Sequence, residues 1–382
     1  MLKFRTIICT VLAVMLVVSC FSGCSREKKK ELDVKKIVFS EEQLSEIRRE
    51  MDEIINSEIF YGGVSVMLNE NEVYKGYFGQ SNKKGDPVTE DTQYMVNSAT
   101  KVFTAVAIIQ LAENNKLSLD DTLGKYYDSE KYPYLDEVTI ENLLDVSVSF
   151  GNYRYELKSN KKAWDKLVKK AKSKKKKAGK QVREMIEEHI LRRGIDEQNV
   201  QISNYYLLGK IIEEASGMDY EEYLRKNIFY VIGLNNTDFV NSDQKGVGYN
   251  RKKDKWVKQA DKELFGNYDY LYSGYGVIST LDDMGKFYKA IVDNKLCQTD
   301  IVKKAIRQGE GFYCGFETDG KKLYVRSGLN IHRVYSCINP DTEEIVNVLT
   351  CTVGGESLTP LGRKIYSKVN AKVNRVLLES YD

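Results

Sequence analysis

One helix constrains the fold of this chain more than any other stretch of its sequence. It lies in residues 94–116, YMVNSATKVFTAVAIIQLAENNK, where apolar residues recur at steps of three and four. That spacing predicts a helix buried on most sides, because its apolar stripe is too wide to face a single neighbour. Asn97 precedes the run and is a candidate helix cap. The chain has 382 residues, 42% of them hydrophobic, which is enough to surround such a helix with a large core.

This helix carries a Ser-x-x-Lys unit at its start, from Ser98 to Lys101. Residues three apart share one helix face, so the Lys101 amine can reach the Ser98 hydroxyl. A serine hydroxyl needs a base to become a nucleophile, and a lysine that burial keeps neutral can be that base. Such a unit often arises by chance on solvated helices. Here the lysine lies where the helix becomes buried. A buried lysine is usually paired with another group or has a functional role.

The first 24 residues are typical of a bacterial lipoprotein signal peptide. A basic start with Lys3 and Arg5 precedes an apolar run over residues 7–18, and small residues then lead to Cys24. About a dozen apolar residues are few for a membrane span. We therefore expect a lipid on Cys24, with Cys20 as a competing site. The protein is predicted to lie outside the cytoplasmic membrane as a lipid-anchored lipoprotein.

After the signal peptide, residues 25–40 are predicted to form a polar tether and residues 41–382 one folded domain. Predicted strands occupy both ends of that domain, at 63–68, 72–77, 311–318, 322–326, 332–339 and 344–352. Helical patterns lie around and between them, at 41–55, 94–116, 138–146, 181–193, 202–216, 219–228, 281–293 and 358–378. This order predicts an α+β fold. An antiparallel sheet built from both ends of the chain is flanked by helices, and a helical subdomain is inserted.

A lysine-rich insertion occupies residues 158–180, with twelve lysines and one acid, Asp165. Its thin apolar stripe favours a solvated helical segment. The functional interpretation is contact with anionic wall polymer or lipid headgroups. Nucleic acid is not expected as a partner on the outer face of a cell.

Neither a metal ion nor a cofactor is expected. The cysteines beyond the signal region and the histidines are Cys297, Cys314, Cys337, Cys351, His189 and His332. No two cysteines have Cys-x-x-Cys spacing, which argues against a structural zinc site. An oxidising compartment permits a disulfide among the last three cysteines, and the pairing stays open. His332 is predicted to lie on a strand surface.

Five stretches, in this order, resemble the serine β-lactamase and D-alanyl-D-alanine peptidase family, especially its class C-like branch. They are residues 62–79, 91–127 with Ser98-Ala99-Thr100-Lys101, 138–150, 203–239, and 273–291, which begins SGYGVIST. The resemblance covers roughly residues 60–355. It implies that family's fold, with Ser98 as the nucleophile and Lys101 as the base.

The family's second motif, Tyr-x-Asn, has no counterpart in this chain. Aligned without a gap on the Leu-Leu-Gly at 207–209, Val200 and Ile202 stand in place of the tyrosine and asparagine. With a two-residue gap, Ile202 and Asn204 stand there instead. In the family that tyrosine passes a proton to the leaving group, so its absence puts turnover in question.

Arg326-Ser327-Gly328 resembles the family's third motif, a cation, a hydroxyl residue and a glycine on the strand that lines the site. Arginine keeps the positive charge and can hold a substrate carboxylate by two hydrogen bonds, but it cannot act as a base. A surface position on the strand is the alternative for Arg326. The resemblance also implies an oxyanion hole formed by the backbone N–H groups of Ser98 and Leu329.

These observations lead to two hypotheses about function. The first is a surface-anchored, β-lactamase-related serine hydrolase in which Ser98 attacks an amide or ester, such as a small peptide or cell-wall peptide, and Lys101 takes its proton. The second is a catalytically impaired relative that binds cell-wall peptide or polymer. The retained Ser-x-x-Lys favours the enzyme, and the missing Tyr-x-Asn favours the binding protein. Tyr205 and Tyr206 are candidate substitutes for the missing tyrosine, although on an apolar helix tyrosines are more typical of packing.

Overall fold

The computed structural model of the protein describes residues 39–56, 60–81, 84–171, 177–196, 201–240, 249–252, 255–258, 268–329, 332–350, 360–365, 367–368 and 371. The predicted signal peptide with Cys24 and nearly all of the tether lie outside these residues, as do Val200 and Cys351. The lipid anchor therefore stays a prediction. Among the helices of the described residues, none combines the length and the apolar character that crossing a bilayer requires.

The α-helices of the described residues include each helix predicted between residues 41 and 293 and three that were not predicted, at 153–159, 268–275 and 301–307. They are α1 (Glu41–Asn56), α2 (Thr100–Glu113), α3 (Ile140–Leu144), α4 (Tyr153–Ser159), α5 (Lys161–Ala171), α6 (Lys177–Arg193), α7 (Ile202–Ser216), α8 (Tyr220–Leu224), α9 (Tyr268–Tyr275), α10 (Leu281–Val292) and α11 (Ile301–Arg307). Side chains cap several of them. Ser40 and Gln43 exchange hydrogen bonds at the start of α1, and Thr139 and Asn142 form a capping box at α3. Helix α7 ends at Gly217, which has the left-handed φ of 71° that glycine adopts easily.

The strands build one large antiparallel sheet and two small ones. They are β1 (Gly62–Leu68), β2 (Asn71–Phe78), β3 (Tyr94–Met95), β4 (Asp238–Phe239), β5 (Tyr249–Lys252), β6 (Lys255–Lys258), β7 (Val277–Ser279), β8 (Glu310–Tyr313), β9 (Phe316–Asp319), β10 (Leu323–Leu329), β11 (His332–Asn339) and β12 (Glu344–Thr350). The large sheet has the order β2-β1-β12-β11-β10-β9-β8. Strands from the two ends of the chain meet where β1 pairs with β12, and this confirms the predicted sheet.

One predicted strand is wrong. Residues 311–318 form two strands, β8 and β9, which pair with each other as a hairpin. The chain reverses at Cys314 and Gly315, whose φ values are 50° and 82°. A side chain at position 315 would lie 2.8 Å from the backbone nitrogen of Val102, so glycine lets this turn pack directly on α2.

Helices cover both faces of the large sheet. On one face, α1 packs its buried residues Ile47, Met51 and Ile55 against the sheet. On the other face lies the larger core, which contains most of the helices and has α2 within it. Every residue from Thr100 to Ile109 is buried, which confirms the prediction for this helix. Each fully buried Val, Leu, Ile or Phe side chain contributes about 1.5–3 kcal/mol, so α2 anchors the helical half of the molecule.

The three-stranded sheet beside α2 sets the position of that helix's first turn. Its strand order is β3-β7-β4, with Tyr94 opposite Ser279 and Met95 opposite Ile278. The Val96 N–H then donates to the Val277 carbonyl oxygen at 3.1 Å. The chain just before β7 therefore lies beside the turn that carries Ser98.

The lysine-rich insertion includes α5 and the start of α6, with residues 172–176 outside the described part. Lys161, Lys162, Lys166 and Lys169 are exposed. Leu167 is buried, and the Trp164 ring packs edge-on against Tyr270 at 5.7 Å. A solvated helix with a thin apolar stripe is confirmed for these residues, and contact with an anionic partner stays a prediction.

Candidate active site

Ser98 lies in a single 3-10 turn, Asn97–Ala99, that leads directly into α2. Asn97 has a φ of 51°, a left-handed conformation that asparagine adopts more readily than most residues. Its Nδ2 donates to the carbonyl oxygens of Met95, at 3.1 Å, and His332, at 2.9 Å. Asn97 therefore holds the bend and does not cap α2 as predicted. The bend presents Ser98 at the positive end of the α2 dipole.

His332 anchors this turn and is not on a strand surface as predicted. Its side chain is 2% exposed, and its Nδ1 accepts a hydrogen bond from the Met95 N–H at 2.8 Å. Burial lowers the pKa of His332 to about 4, so the ring is neutral at physiological pH and free to accept. The periodicity of the strand could not reveal this role, because the partners of His332 lie far away in the sequence.

Lys101 is buried in the first turn of α2, with an exposed fraction of 7%. Its amine lies 5.8 Å from the ring centroid of Tyr205 and 5.7 Å from that of Tyr275. Burial lowers the pKa of the Lys101 amine, and its attraction to Tyr275 opposes this only in part. No hydrogen bond joins Lys101 to Ser98, although both residues are described. They face the same neighbour, Tyr275.

Tyr275 is the functional candidate that the sequence reasoning missed. Its ring centroid lies 5.7 Å from the Lys101 amine and 5.2 Å from the Arg154 guanidinium carbon, and Ser98 and Arg154 both act on its phenol to lower the pKa. Two hydrogen bonds to α2 hold the segment around it: Thr104 Oγ1 donates to the Ser273 carbonyl at 2.7 Å, and the Val277 N–H donates to Thr100 Oγ1 at 3.2 Å. The available signal was a tyrosine between two glycines, in the SGYG of a stretch already noted for its resemblance.

The charges around Tyr275 favour its ionised form. Burial raises the pKa of this phenol, but the nearby positive charges of Lys101 and Arg154 and hydrogen bonds from Ser98 and Arg154 outweigh burial. The net pKa of Tyr275 therefore lies below that of an ordinary tyrosine. Lys101 and Tyr275 titrate as a pair, and both pKa values are shifted downward. The pair consequently loses its first proton at a lower pH than either residue would alone in water.

Ser327 contacts Ser98 directly. The Ser98 N–H donates to Ser327 Oγ at 2.6 Å. This N–H is one of the two oxyanion-hole donors that the family resemblance implies, and Leu329, which would supply the second, ends β10 opposite His332. A substrate carbonyl must therefore displace the Ser327 hydroxyl before it can use the Ser98 donor. A hydrogen bond of this kind is worth about 0.5–1.5 kcal/mol, which is small enough for a substrate to replace.

Arg326 is not brought to this site. Neighbouring residues of a strand point to opposite faces, and Ser327 is the one that faces Ser98. The Arg326 guanidinium forms an ion pair with Glu317 and lies over the Tyr324 ring at 5.3 Å. There it lines a surface pocket together with Tyr335 and Arg363. This placement gives no support to the prediction that Arg326 holds a substrate anion beside Ser98.

Neither of the two alignments considered for the Tyr-x-Asn motif places an asparagine that is free to act in catalysis. Asn204 is fully buried; its Oδ1 accepts from the Phe150 N–H at 2.9 Å, and its Nδ2 donates to the Val148 carbonyl at 2.6 Å. It fastens the loop before α4 to α7. The Tyr206 hydroxyl donates to the Asp269 carbonyl, and Tyr206 is a packing residue as expected. The Tyr205 ring instead lies beside the Lys101 amine.

Metal-ligating groups do not cluster in the described part of the chain: no three His, Cys, Asp or Glu residues there could share a metal ion. Cys297, Cys314 and Cys337 are free and buried. Burial raises the pKa of Cys297 to about 12, so its thiol stays protonated at physiological pH.

The fold and the Ser98 turn define an α+β protein with a Ser-x-x-Lys unit at the start of a buried helix, and comparison with known families agrees with this class. The beta-lactamase family model matches residues 52–366. The chain therefore belongs to the beta-lactamase family.

Two curated relatives are similar over most of this chain. PbpX of Bacillus subtilis (strain 168), a penicillin-binding protein by name, is 27% identical over 366 residues, which cover 90% of this chain and 84% of PbpX. A teichoic acid D-alanine hydrolase of Staphylococcus aureus is 25% identical over 276 residues, or 68% of this chain. The match spans only 61% of that hydrolase.

Solved structures show the same fold. FmtA from Staphylococcus aureus superposes with a TM-score of 0.69 at 20% identity, covering 88% of this chain and 91% of FmtA. The D-amino acid amidase from Ochrobactrum anthropi superposes with a TM-score of 0.66 at 16% identity, covering 89% of this chain and 100% of the amidase. At these identities the likeness concerns the fold alone.

Proposed function

We propose that this protein is a serine hydrolase that cleaves an amide or ester bond through an acyl-enzyme on Ser98. The observation that carries the proposal is the position of the Tyr275 phenol, which lies beside Ser98 and next to the buried Lys101 and Arg154 side chains. A phenol so placed can accept the serine proton once it is ionised, and the adjacent cations stabilise the negative charge of that ionised form. Membership in the beta-lactamase family supports the same class of reaction.

In the first step, Ser98 Oγ attacks the substrate carbonyl carbon while its proton passes to Tyr275 or, through it, to Lys101. The new carbon–oxygen bond moves the carbonyl π electrons onto the oxygen, which the N–H groups of Ser98 and Leu329 receive once Ser327 has released its bond. The same pair then returns the proton to the leaving amine or alcohol as its bond to the acyl carbon breaks. Water then gives a proton to the pair as its oxygen bonds to the acyl carbon of the Ser98 ester. The bond between that carbon and Ser98 Oγ breaks, the pair returns the proton to Oγ, and the acid is released.

Tyr275 supplies the group whose absence favoured the non-catalytic alternative. The family's tyrosine belongs to a Tyr-x-Asn motif, whereas Tyr275 comes from the end of α9 and nevertheless lies beside Ser98 and Lys101. A phenol on this side of Ser98 can serve in both acylation and deacylation. For this reason we favour the enzyme over the binding protein.

We propose an ester or amide of a D-amino acid as the substrate class, carried on an anionic polymer of the cell envelope. The names of the teichoic acid D-alanine hydrolase and the D-amino acid amidase support the first part. The exposed lysines of α5 support the second, because a polyanion gains from a dense positive surface. The N-terminal sequence supports a lipid anchor on Cys24 outside the cytoplasmic membrane, and the mass of the mature N-terminal peptide would test it.

The decisive test is covalent labelling of Ser98. Wild-type protein treated with a fluorophosphonate or an activated ester should gain the mass of one adduct, mapped by peptide mass spectrometry to Ser98. The ester adduct should be released over time, and Ser98→Ala should form none. If the folded wild-type protein gains no adduct from neutral to alkaline pH, the non-catalytic binding protein becomes the better hypothesis.

A second experiment tests the polymer substrate. Changing Lys161, Lys162, Lys166 and Lys169 together to glutamine should raise KM about 3- to 10-fold for a D-alanyl ester on a polyanionic carrier at low salt. KM for a small neutral ester should not change, and the difference should vanish at high salt, since exposed charges are screened within about 10 Å at 0.1 M.

The matched control changes four exposed lysines elsewhere, Lys226, Lys295, Lys303 and Lys321. An equal rise in KM for this variant would show that net charge, and not the lysine-rich helix, attracts the polymer.

A further inference from the structure

Arg154 is a buried cation that no sequence motif indicated. It lies on α4 with an exposed fraction of 9%. Its guanidinium carbon is 5.6 Å from the ring centroid of Tyr270 and 5.2 Å from that of Tyr275. Its Nε donates to the Tyr270 hydroxyl at 3.1 Å, and its positive charge helps to lower the pKa of the Tyr275 phenol. Arg154 therefore joins α4 to the phenol that lies beside Ser98.

Arg154 has no carboxylate to balance its charge among the described residues. The nearest acid on its own helix, Glu156, is committed to His189 at 3.0 Å and to Arg193 at 3.7 Å. Burying an unbalanced charge is costly, and arginine does not escape by losing its proton. Ring faces offset part of this cost. An anion that forms next to the guanidinium would supply the remaining balance. Arg154 faces the phenols of Tyr270 and Tyr275, and of these two Tyr275 is the one beside Ser98.

We propose that Arg154 is a positioning residue of the Ser98 site, whose guanidinium supplies a second positive charge beside Tyr275 and points the phenol oxygen at the Ser98 hydroxyl. This inference rests on the proposed function and deepens it. In this arrangement the second cation comes from helix α4, while Arg326 of the strand motif lies elsewhere, paired with Glu317.

The groups that face Tyr275 from the surrounding elements are consistent with this role. They are Ser98 from the turn before α2, Lys101 from α2, and Tyr153 and Arg154 from α4, while Tyr270 of the same helix α9 contacts Arg154. Tyr205 of α7 faces Lys101. Burial raises the pKa values of Tyr153 and Tyr205 well above that of an ordinary tyrosine, so both stay neutral. The charges that act on Tyr275 are therefore the two cations, and removing one of them should raise its pKa.

The test compares Arg154→Gln with Arg154→Lys in the pH dependence of Ser98 acylation. The wild-type rate should rise with pH and level off as the Lys101–Tyr275 pair loses its proton. Arg154→Gln should move the midpoint of that rise to higher pH. The rate near pH 7 then falls about tenfold for each pH unit that the midpoint moves, while the rate at high pH recovers. Arg154→Lys keeps the charge and should restore most of the wild-type profile.

Arg225→Gln is the matched control. Arg225 also lies over a ring, 5.1 Å from the centroid of Phe239, but it is paired with Glu221 and Asp238 and does not contact Tyr275. Its loss should leave the midpoint of the profile unchanged. If Arg154→Gln lowers the rate by the same factor at every pH, or leaves the rate unchanged, the proposed role of Arg154 is wrong.

A titration that needs no activity separates this proposal from the proposed function. Ultraviolet difference spectra of wild type against Tyr275→Phe isolate one phenol among the 26 tyrosines of the chain. The same difference measured in the Arg154→Gln background should show Tyr275 ionising at higher pH. An unchanged titration would overturn the role of Arg154 even if Ser98 reacts, and a shifted one would uphold it even if Ser98 does not.

Discussion

A Tyr275→Phe variant is expected to acylate at Ser98 about 10²–10⁴ times more slowly than the wild-type protein, the range typical of a lost general base. Phenylalanine keeps the ring that packs beside Lys101 and Arg154 and removes only the phenol oxygen. The loss should therefore appear in the rate and not in the stability. The measurement is the second-order rate of adduct formation with an activated ester, followed by intact mass.

Tyr288→Phe provides the control for this experiment. Tyr288 is fully buried in α10, with its ring 5.7 Å from that of Phe287 and away from Ser98. Its variant should acylate at the wild-type rate. If Tyr275→Phe also does so, the phenol is a packing residue and Lys101 must act on Ser98 without it.

A Lys101→Met variant is expected to lose acylation by a similar factor and, at the same time, to become more stable. Methionine fills the space of the lysine stem but neither accepts a proton nor holds a charge beside Tyr275. Burying the amine without a carboxylate partner is unfavourable, so its removal should raise the free energy of unfolding by about 1–3 kcal/mol. Acylation rates and chemical denaturation measure the two effects.

The gain in stability should depend on pH in a defined direction. Burial lowers the pKa of Lys101 in the folded state below its unfolded value of about 10.4. Folding therefore releases a proton, and the wild-type protein loses stability as the pH falls from above 10.4 through the folded pKa. Methionine does not titrate, so the advantage of Lys101→Met should be larger at neutral pH than above pH 10.4. A constant advantage would contradict the lowered pKa.

Lys289→Met is the matched control, because Lys289 has the same exposed fraction of 7%. Unlike Lys101, it is paired with Asp293 and with Glu70, the latter at 2.9 Å. Its loss leaves Asp293 without this partner and should destabilise the protein, with no change in acylation. The opposite signs of the two stability changes would show that Lys101 is retained for chemistry and Lys289 for structure.

The large-scale fold was predictable because its signals are local. Helix α7 was predicted at 202–216 and lies at Ile202–Ser216, since its apolar spacing and the following glycine act within a few turns. The sheet built from both ends followed from strands at the two ends of the domain. The boundary between β8 and β9 was missed. The turn at Cys314 and Gly315 packs against α2, and the sequence of 311–318 contains no signal of that contact.

For the candidate site, the sequence by itself determined the Ser98–Lys101 spacing, the burial of the helix that carries them and the family resemblance. These depend on residues within one or two helical turns of each other. Only the tertiary structure decided which tyrosine and which second cation accompany them. Tyr275 belongs to α9 and Arg154 to α4. His332 belongs to β11 and holds the Ser98 turn, whereas Arg326 points away on the far face of β10. Contacts of this kind arise when a sheet and a helical core bring distant segments together, and neither periodicity nor a short motif encodes that geometry.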